Sequence, residues 1–248
     1  MSTAVMTNSI AESSPLFRAD IAGVLYLTSI LTGAAAAFVR WKLVIPDNAT
    51  ATATNILAHE PLFRMLLAAD LISASCYVAV TLLFYEMFKR VNRHLSLLTA
   101  FLSFLSCAIV AFGCLFHVAA LVVLRGAQYL NILSVHQLPA LALACLKLRA
   151  QVYNISLVFM GFSCLLIGYL IFRSTFLPKI VGALMAFAGL GGLTSLSPPL
   201  AIYLSRSIGV PGLLAELLLC LWLLVMGVNV QRWKEQASAG GRVTNHSK

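Results

Sequence analysis

The sequence predicts an all-α fold: a polytopic membrane helix bundle with six transmembrane helices and both termini in the cytoplasm. Three observations lead there. The 248 residues are 60% apolar, with a mean hydropathy of +0.93. Only 10% are charged, against about 25% in an average soluble domain. The apolar residues form long runs rather than a period-2 alternation, which argues against a β-barrel. So few charged side chains cannot give a soluble particle of this size its polar skin. A soluble enzyme, a disordered chain and a secreted disulfide module are excluded together.

A helix needs about 20 mostly apolar residues to cross a bilayer, and six segments qualify. They run from about Ile21 to Val39, Met65 to Phe88, Leu95 to Leu124, Val152 to Phe172, Ile180 to Leu200 and Gly212 to Val228. The first is no secretory signal, because Met1 to Pro15 lacks the basic n-region. It reads as a retained helix ending at Arg40, Trp41 and Lys42. A polar Ala/Thr-rich loop, Pro46 to Thr54, follows it. Pro61 suits the first turn of the second helix and Pro211 that of the sixth, and Pro198-Pro199 should end or kink the fifth. Gln128 to Leu146 is ambiguous: apolar overall, yet it carries Asn131, His136, Gln137 and Pro139.

The distribution of basic residues decides between six spans and seven. With six spans and the N-terminus inside, ten Lys and Arg lie on the cytoplasmic side and seven outside; a seventh span would reverse those numbers. Six spans are therefore expected, with Pro139 in the first turn of a long fourth helix. The expected organisation is a cytoplasmic tail over residues 1–18, a transmembrane domain over 19–233 and a disordered tail over 234–248, in the inner membrane of a bacterium. The net charge of +9 then reflects anchoring at an anionic lipid surface, not nucleic-acid binding. Membrane lipids are the expected partners. The six cysteines, all in apolar surroundings, read as small buried hydrophobes. Small residues recur at helical spacing, among them Gly161 and Gly168, then Gly182, Ala186 and Gly189. They point to close helix packing, or to a hinge at Gly189 to Gly192.

Ionisable groups inside spans are costly and tend to be paired or functional. Asp70 lies about 9 Å past Arg64 in the second helix, His117 about 12 Å short of Arg125 in the third, and Glu216 about 8 Å past Pro211 in the sixth. All three fall at similar depth in the outer half of the membrane. Arg64, Arg149, Tyr153 and Asn154 make the outer mouth polar as well. The expectation is an outward-opening polar cavity floored by Asp70, His117 and Glu216. Such a set can form a structural network, bind or move a ligand, serve as general base on a lipid or small substrate, or hold a metal. One His and two carboxylates without an i, i+4 pair is a weak metal pattern, and no metal is expected. No phosphate loop, nucleophile elbow or zinc-protease helix occurs, so no cofactor is expected either.

The run from Gly23 to Trp233 resembles a bacterial membrane family catalogued as domain of unknown function 4386. Matching stretches are Gly23-Val24-Leu25-Tyr26-Leu27, Ala53-Thr54-Asn55-Ile56-Leu57-Ala58, Leu62-Phe63-Arg64, Ala69-Asp70-Leu71 and Val91-Asn92-Arg93. Further on come Leu157-Val158-Phe159, Gly168 to Ser174, Phe176-Leu177-Pro178, Ala215-Glu216 and Leu221 to Leu224. The resemblance implies fold and topology rather than an activity. It places Arg64, Asp70 and Glu216 on recurrent polar positions. Similar sequences carry Asp and His near Lys147 and Arg149, and His near Ser163 or Cys164, and this chain departs from them there. The first functional expectation is a non-enzymatic membrane protein that binds or moves a small or lipid-like ligand, carried by Asp70, Glu216 and Arg64 with His117 as a titrating partner. The alternatives are an intramembrane enzyme acting on a lipid or isoprenoid, with Asp70 or Glu216 as base, and a structural or accessory subunit.

Overall fold

The computed structural model describes residues 15–126, 137–229 and 231–232, with the backbone alone for 15–18 and 198–210. Of the expected N-terminal tail over residues 1–18, residues 1–14 lie outside the described residues, as do Trp233 and the expected tail over 234–248, while residues 15–18 belong to the first helix. Every regular element described is helical. The elements are α1 (Pro15–Leu43), α2 (Ala49–Ala58), α3 (Glu60–Phe88), α4 (Arg93–Leu124), α5 (Gln137–Arg173), α6 (Lys179–Leu193), a 3-10 turn (Thr194–Leu196) and α7 (Pro198–Val225). Five stretches are long and apolar enough to cross a membrane: Ala19–Leu43, Glu60–Phe88, Arg93–Leu124, Gln137–Arg173 and Lys179–Leu196. Pro211–Val225, within α7, is a shorter apolar stretch.

Local chemistry explains the boundaries. Asn92 caps α4 by accepting a hydrogen bond from Leu95 N at 3.0 Å. Pro61 occupies the first turn of α3, where its missing N–H costs nothing. Pro139 does the same in α5, a 37-residue helix about 55 Å long, well over the thickness of the hydrocarbon. Gln137 to Leu146 is thus the opening of α5 and no separate span, and residues 127–136 lie outside the description.

Three boundaries differ from expectation. The Ala/Thr-rich loop contains a helix, α2, because Asn48 caps it by accepting from Ala51 N at 2.9 Å and because Thr52, Ala53 and Ile56 are buried. The Thr52 hydroxyl locks the approach, accepting from Ile45 N and donating to Ile45 O. α6 stops at Leu193, and residues 198–200 open α7 instead of closing the fifth span. The cause is the pair Pro198-Pro199, whose fixed φ suits a helix start and not a helix end. For the same reason Pro211 lies inside α7 rather than in its first turn.

The extensive helix pairs are α1–α3, α3–α4, α4–α5, α5–α6, α6–α7 and α7–α1. The six long helices thus close a ring of alternating direction, and α2 lies against α5 and touches α1 and α3. Two apolar clusters fill the ring. One, at the end where α1 begins and α5 finishes, contains Tyr26, Phe84, Phe88, Ile171, Met185 and Leu223. The other, at the opposite end, joins Ala36, Ile56, Phe63, Ala120 and Leu146.

Glycine sets the closest pairing. Gly161 meets Gly189 and Gly168 meets Gly182 across the antiparallel α5–α6 seam. A Cβ on any of the four would stand 2.7–2.9 Å from the opposing carbonyl oxygen. Lipid supplies no hydrophobic drive to hold helices together, so backbone contact of this kind does. Gly189 and Gly192 lie in this seam, packed against α5.

Candidate functional site

Between the two apolar clusters lies a cavity of about 580 Å³, walled by α1, α3, α4, α5 and α7. Its polar end is built on Asp70. The Asp70 Oδ2 accepts from Arg40 Nη2 and from Arg149 Nη2, each at 2.5 Å. The side chains of Asp70 and Arg149 are about nine-tenths buried, and Arg40 is 15% exposed. Arg40 sits near the far end of α1. Helical side chains lean toward their own N-terminus, which carries its guanidinium back along the ring to Asp70. Two guanidiniums against one carboxylate leave one positive charge. The Nε of both arginines is buried without a hydrogen-bond partner.

One turn further along, α1 and α3 are fastened by serines. Ser29 Oγ donates to Ser73 O at 2.9 Å and Ser73 Oγ donates to Ser29 O at 2.8 Å. Deeper still stands Glu216. The Cys220 thiol, one turn along α7, donates to Gly23 O at 3.1 Å, which fixes the level of Glu216 against α1. Counted along α1, Glu216 lies about 8 Å deeper than Asp70. It faces the cavity with Tyr26 and Tyr77. The Tyr26 hydroxyl is buried and lies near the Glu216 carboxyl, but outside hydrogen-bond geometry in this structure. No cation pairs with Glu216 among the described residues.

The four residues singled out from the sequence therefore separate. Asp70 and Glu216 line the same cavity, at different depths. His117 and Arg64 line a groove of about 430 Å³ between α3 and α4. His117 Nε2 bonds to Phe63 O at 2.9 Å, and the imidazole stacks on the Phe63 ring at 3.9 Å between centroids. Donation to a carbonyl puts the hydrogen on Nε2, and Nδ1 is then a buried acceptor without a partner. Arg64 Nε reaches Glu60 one turn earlier at 2.9 Å, and Arg125 Nη2 meets the same carboxylate at 2.5 Å, tying α3 to α4. At the same end Lys147 Nζ lies 2.8 Å from Asp47 Oδ1. The hydrogen bond and charge of Lys147 hold the Asp47 carboxyl below its ordinary value of 3.8.

Sequence reasoning passed over Arg40 and Arg149 as the partners of Asp70. Arg40 reads as an anchor at a span end and Arg149 as a mouth residue. The usable signal was the reach of their side chains toward a carboxylate that needs cations. Tyr26 and Tyr77 are a second overlooked signal, because their positions lie far from the ends of their helices, where membrane tyrosines concentrate.

Chemically, the cavity pairs a cationic end with a mostly apolar wall and an acidic far end. That arrangement suits recognition of an amphipathic molecule. Asp70 is committed to two arginines, and Glu216 is separated from it in depth, so the two carboxylates are not set as an adjacent acid–base pair.

No curated protein and no solved structure matches the chain. Residues 21–227 match the family described as a domain of unknown function, DUF4386. With its fold and cavity in place, the protein is a multi-pass membrane protein that belongs to this family.

Proposed function

We propose that the protein is a non-enzymatic membrane protein that binds or moves a small or lipid-like ligand in its central cavity. The carrying observation is the cavity itself. Its volume of about 580 Å³ falls in the range of small-molecule sites, about 300–1,000 Å³, and its walls are apolar with a few convergent polar groups. Asp70 fixes the two arginines at one end, and Glu216 marks the other. Arg64 and His117 serve the architecture of the α3–α4 groove in this reading. Six spans, cytoplasmic termini and an inner-membrane location are part of the proposal. The surplus of Lys and Arg on the side that holds both termini supports them. In that orientation the Asp70 end of the cavity faces outward.

Native mass spectrometry of the full-length protein, extracted in mild detergent, tests the binding. The wild type is expected to carry a co-purifying mass, and Val110→Trp, which fills the cavity, is expected to lose it while staying folded. An equal mass retained in Val110→Trp would sink the cavity as its location. The competing reading, an enzyme acting on a lipid or isoprenoid, rests on Glu216 as a carboxyl that lines the cavity with no cation paired to it among the described residues. It predicts a changed lipid profile in cells overproducing the wild type but not Glu216→Gln.

A further inference from the structure

We infer that the ligand of the central cavity is a single-chain carboxylate, a molecule of the fatty-acid class, with its head held by Arg40 and Arg149. The inference rests on the cavity reading above and deepens it. Charge comes first. Asp70 neutralises only one of the two guanidiniums that bond to it, and Glu216, the other carboxyl of the cavity, stands about 8 Å away along the helices, so the buried Arg40–Asp70–Arg149 cluster itself carries one net positive charge. A net buried charge is costly in that setting and draws a counter-ion. A carboxylate brings one negative charge and balances the cluster. A phosphate monoester brings about 1.5 to 2 and exceeds it.

Hydrogen bonding points the same way. The Nε–H of Arg40 and of Arg149 is buried with no partner, although guanidiniums bind carboxylates through paired donors. Asp70 takes one Nη2 from each side chain and leaves both Nε donors over. A second carboxylate supplies acceptors for them.

Size and polarity set the rest of the molecule. Beyond the arginines the wall is mostly apolar, with Ile30, Ala34, Ala74, Cys107, Val110 and Met160 set among serine and tyrosine hydroxyls, and it offers contact to a hydrocarbon chain. The volume of about 580 Å³ lies within the range of single small-molecule sites, about 300–1,000 Å³. That suits one hydrocarbon chain. Glu216 at the far end is itself an acid with no cation paired to it among the described residues, so the head has one place and the chain one direction.

The test uses the full-length protein in detergent, with hexadecanoate, hexadecanol and hexadecyl phosphate as probes and native mass spectrometry or equilibrium binding as readout. Hexadecanoate is expected to bind at least tenfold more tightly than hexadecanol, which has the same chain without the charge. In Arg149→Gln the remaining Arg40–Asp70 pair is neutral, and hexadecanoate affinity is expected to fall tenfold or more while hexadecanol binding stays unchanged. Equal binding of the acid and the alcohol by the wild type overturns the inference without any variant, so a misfolded Arg149→Gln does not protect it. Tighter binding of hexadecyl phosphate than of hexadecanoate overturns the carboxylate assignment. Failure of all three probes, with an unrelated co-purifying mass still lost in Val110→Trp, would refute this inference and leave the cavity reading standing.

Discussion

Asp70 is the residue on which most of the polar chemistry turns. Removing it leaves two buried guanidiniums facing each other with no anion between them. Breaking a buried pair in this way costs about 3–5 kcal/mol. Asp70→Ala is therefore expected to lower the unfolding midpoint in detergent strongly, and Arg40→Met combined with it to recover part of the loss. His117 is a milder case. Its ring stacks on Phe63 and bonds a carbonyl that already belongs to a helix, so His117→Ala is expected to cost about 1–2 kcal/mol and to leave cavity binding intact. A lost ligand mass in a folded His117→Ala protein would contradict this division of labour. The presence of ionisable groups in the spans was legible from the sequence, because so few charges lie there. Their partners were not. Depth along a helix follows from residue count, but azimuth depends on packing, and azimuth separates His117 from the cavity that Asp70 and Glu216 share.

Among elements, the α5–α6 seam and the α1–α2 turn give contrasting predictions. Gly189→Leu must force apart backbones that already touch, and a loss of about 3 kcal/mol or more is expected. Among the described residues Gly212→Ala meets Ala188 alone, at 3.6 Å or more, and is expected to change the midpoint little. Comparing the two by thermal unfolding checks whether contact distance or glycine content matters. The Asp47–Lys147 pair ties the turn before α2 to α5 at the surface. Its Asp47 carboxyl titrates below 3.8 in the folded protein, so the contribution is full above that value and disappears as pH falls through the lower folded one. Hydrogen exchange in the Ile45 to Thr52 turn is expected to speed up below about pH 4 by more than its intrinsic change, and Lys147→Met to abolish that excess. The long helices were readable from apolar runs and proline positions. α2 was not, because alternating Ala and Thr has a period of two and lacks the helical period of 3.6. Asn48, Thr52 and the neighbouring α5 make that stretch helical.

For the molecule as a whole, a simple labelling measurement reads the orientation. In a cysteine-free background, Asp47→Cys is expected to react with a membrane-impermeant maleimide from outside intact spheroplasts, and Thr175→Cys only after the membrane is opened. The reverse pattern would invert the proposed topology and turn the Asp70 end of the cavity toward the cytoplasm. Composition was enough to read a helical membrane protein from the sequence. The ring was not legible, since no local pattern says which helix closes against which.

That closure has a consequence for assembly. Around the ring each long helix packs against the one before it in the chain, except where α7 returns to α1 near Cys220 and Gly23. Helices that pair with their predecessors can dock as they leave the ribosome, with short loops to close and little waiting. The cavity receives its last wall only when the C-terminal helix arrives, and Glu216 arrives with it. A chain truncated before α7 would insert as an open trough, missing the wall that Leu213 and Glu216 supply. Stalled nascent chains of increasing length should therefore gain ligand-dependent protease resistance in one late step, at the length that releases α7.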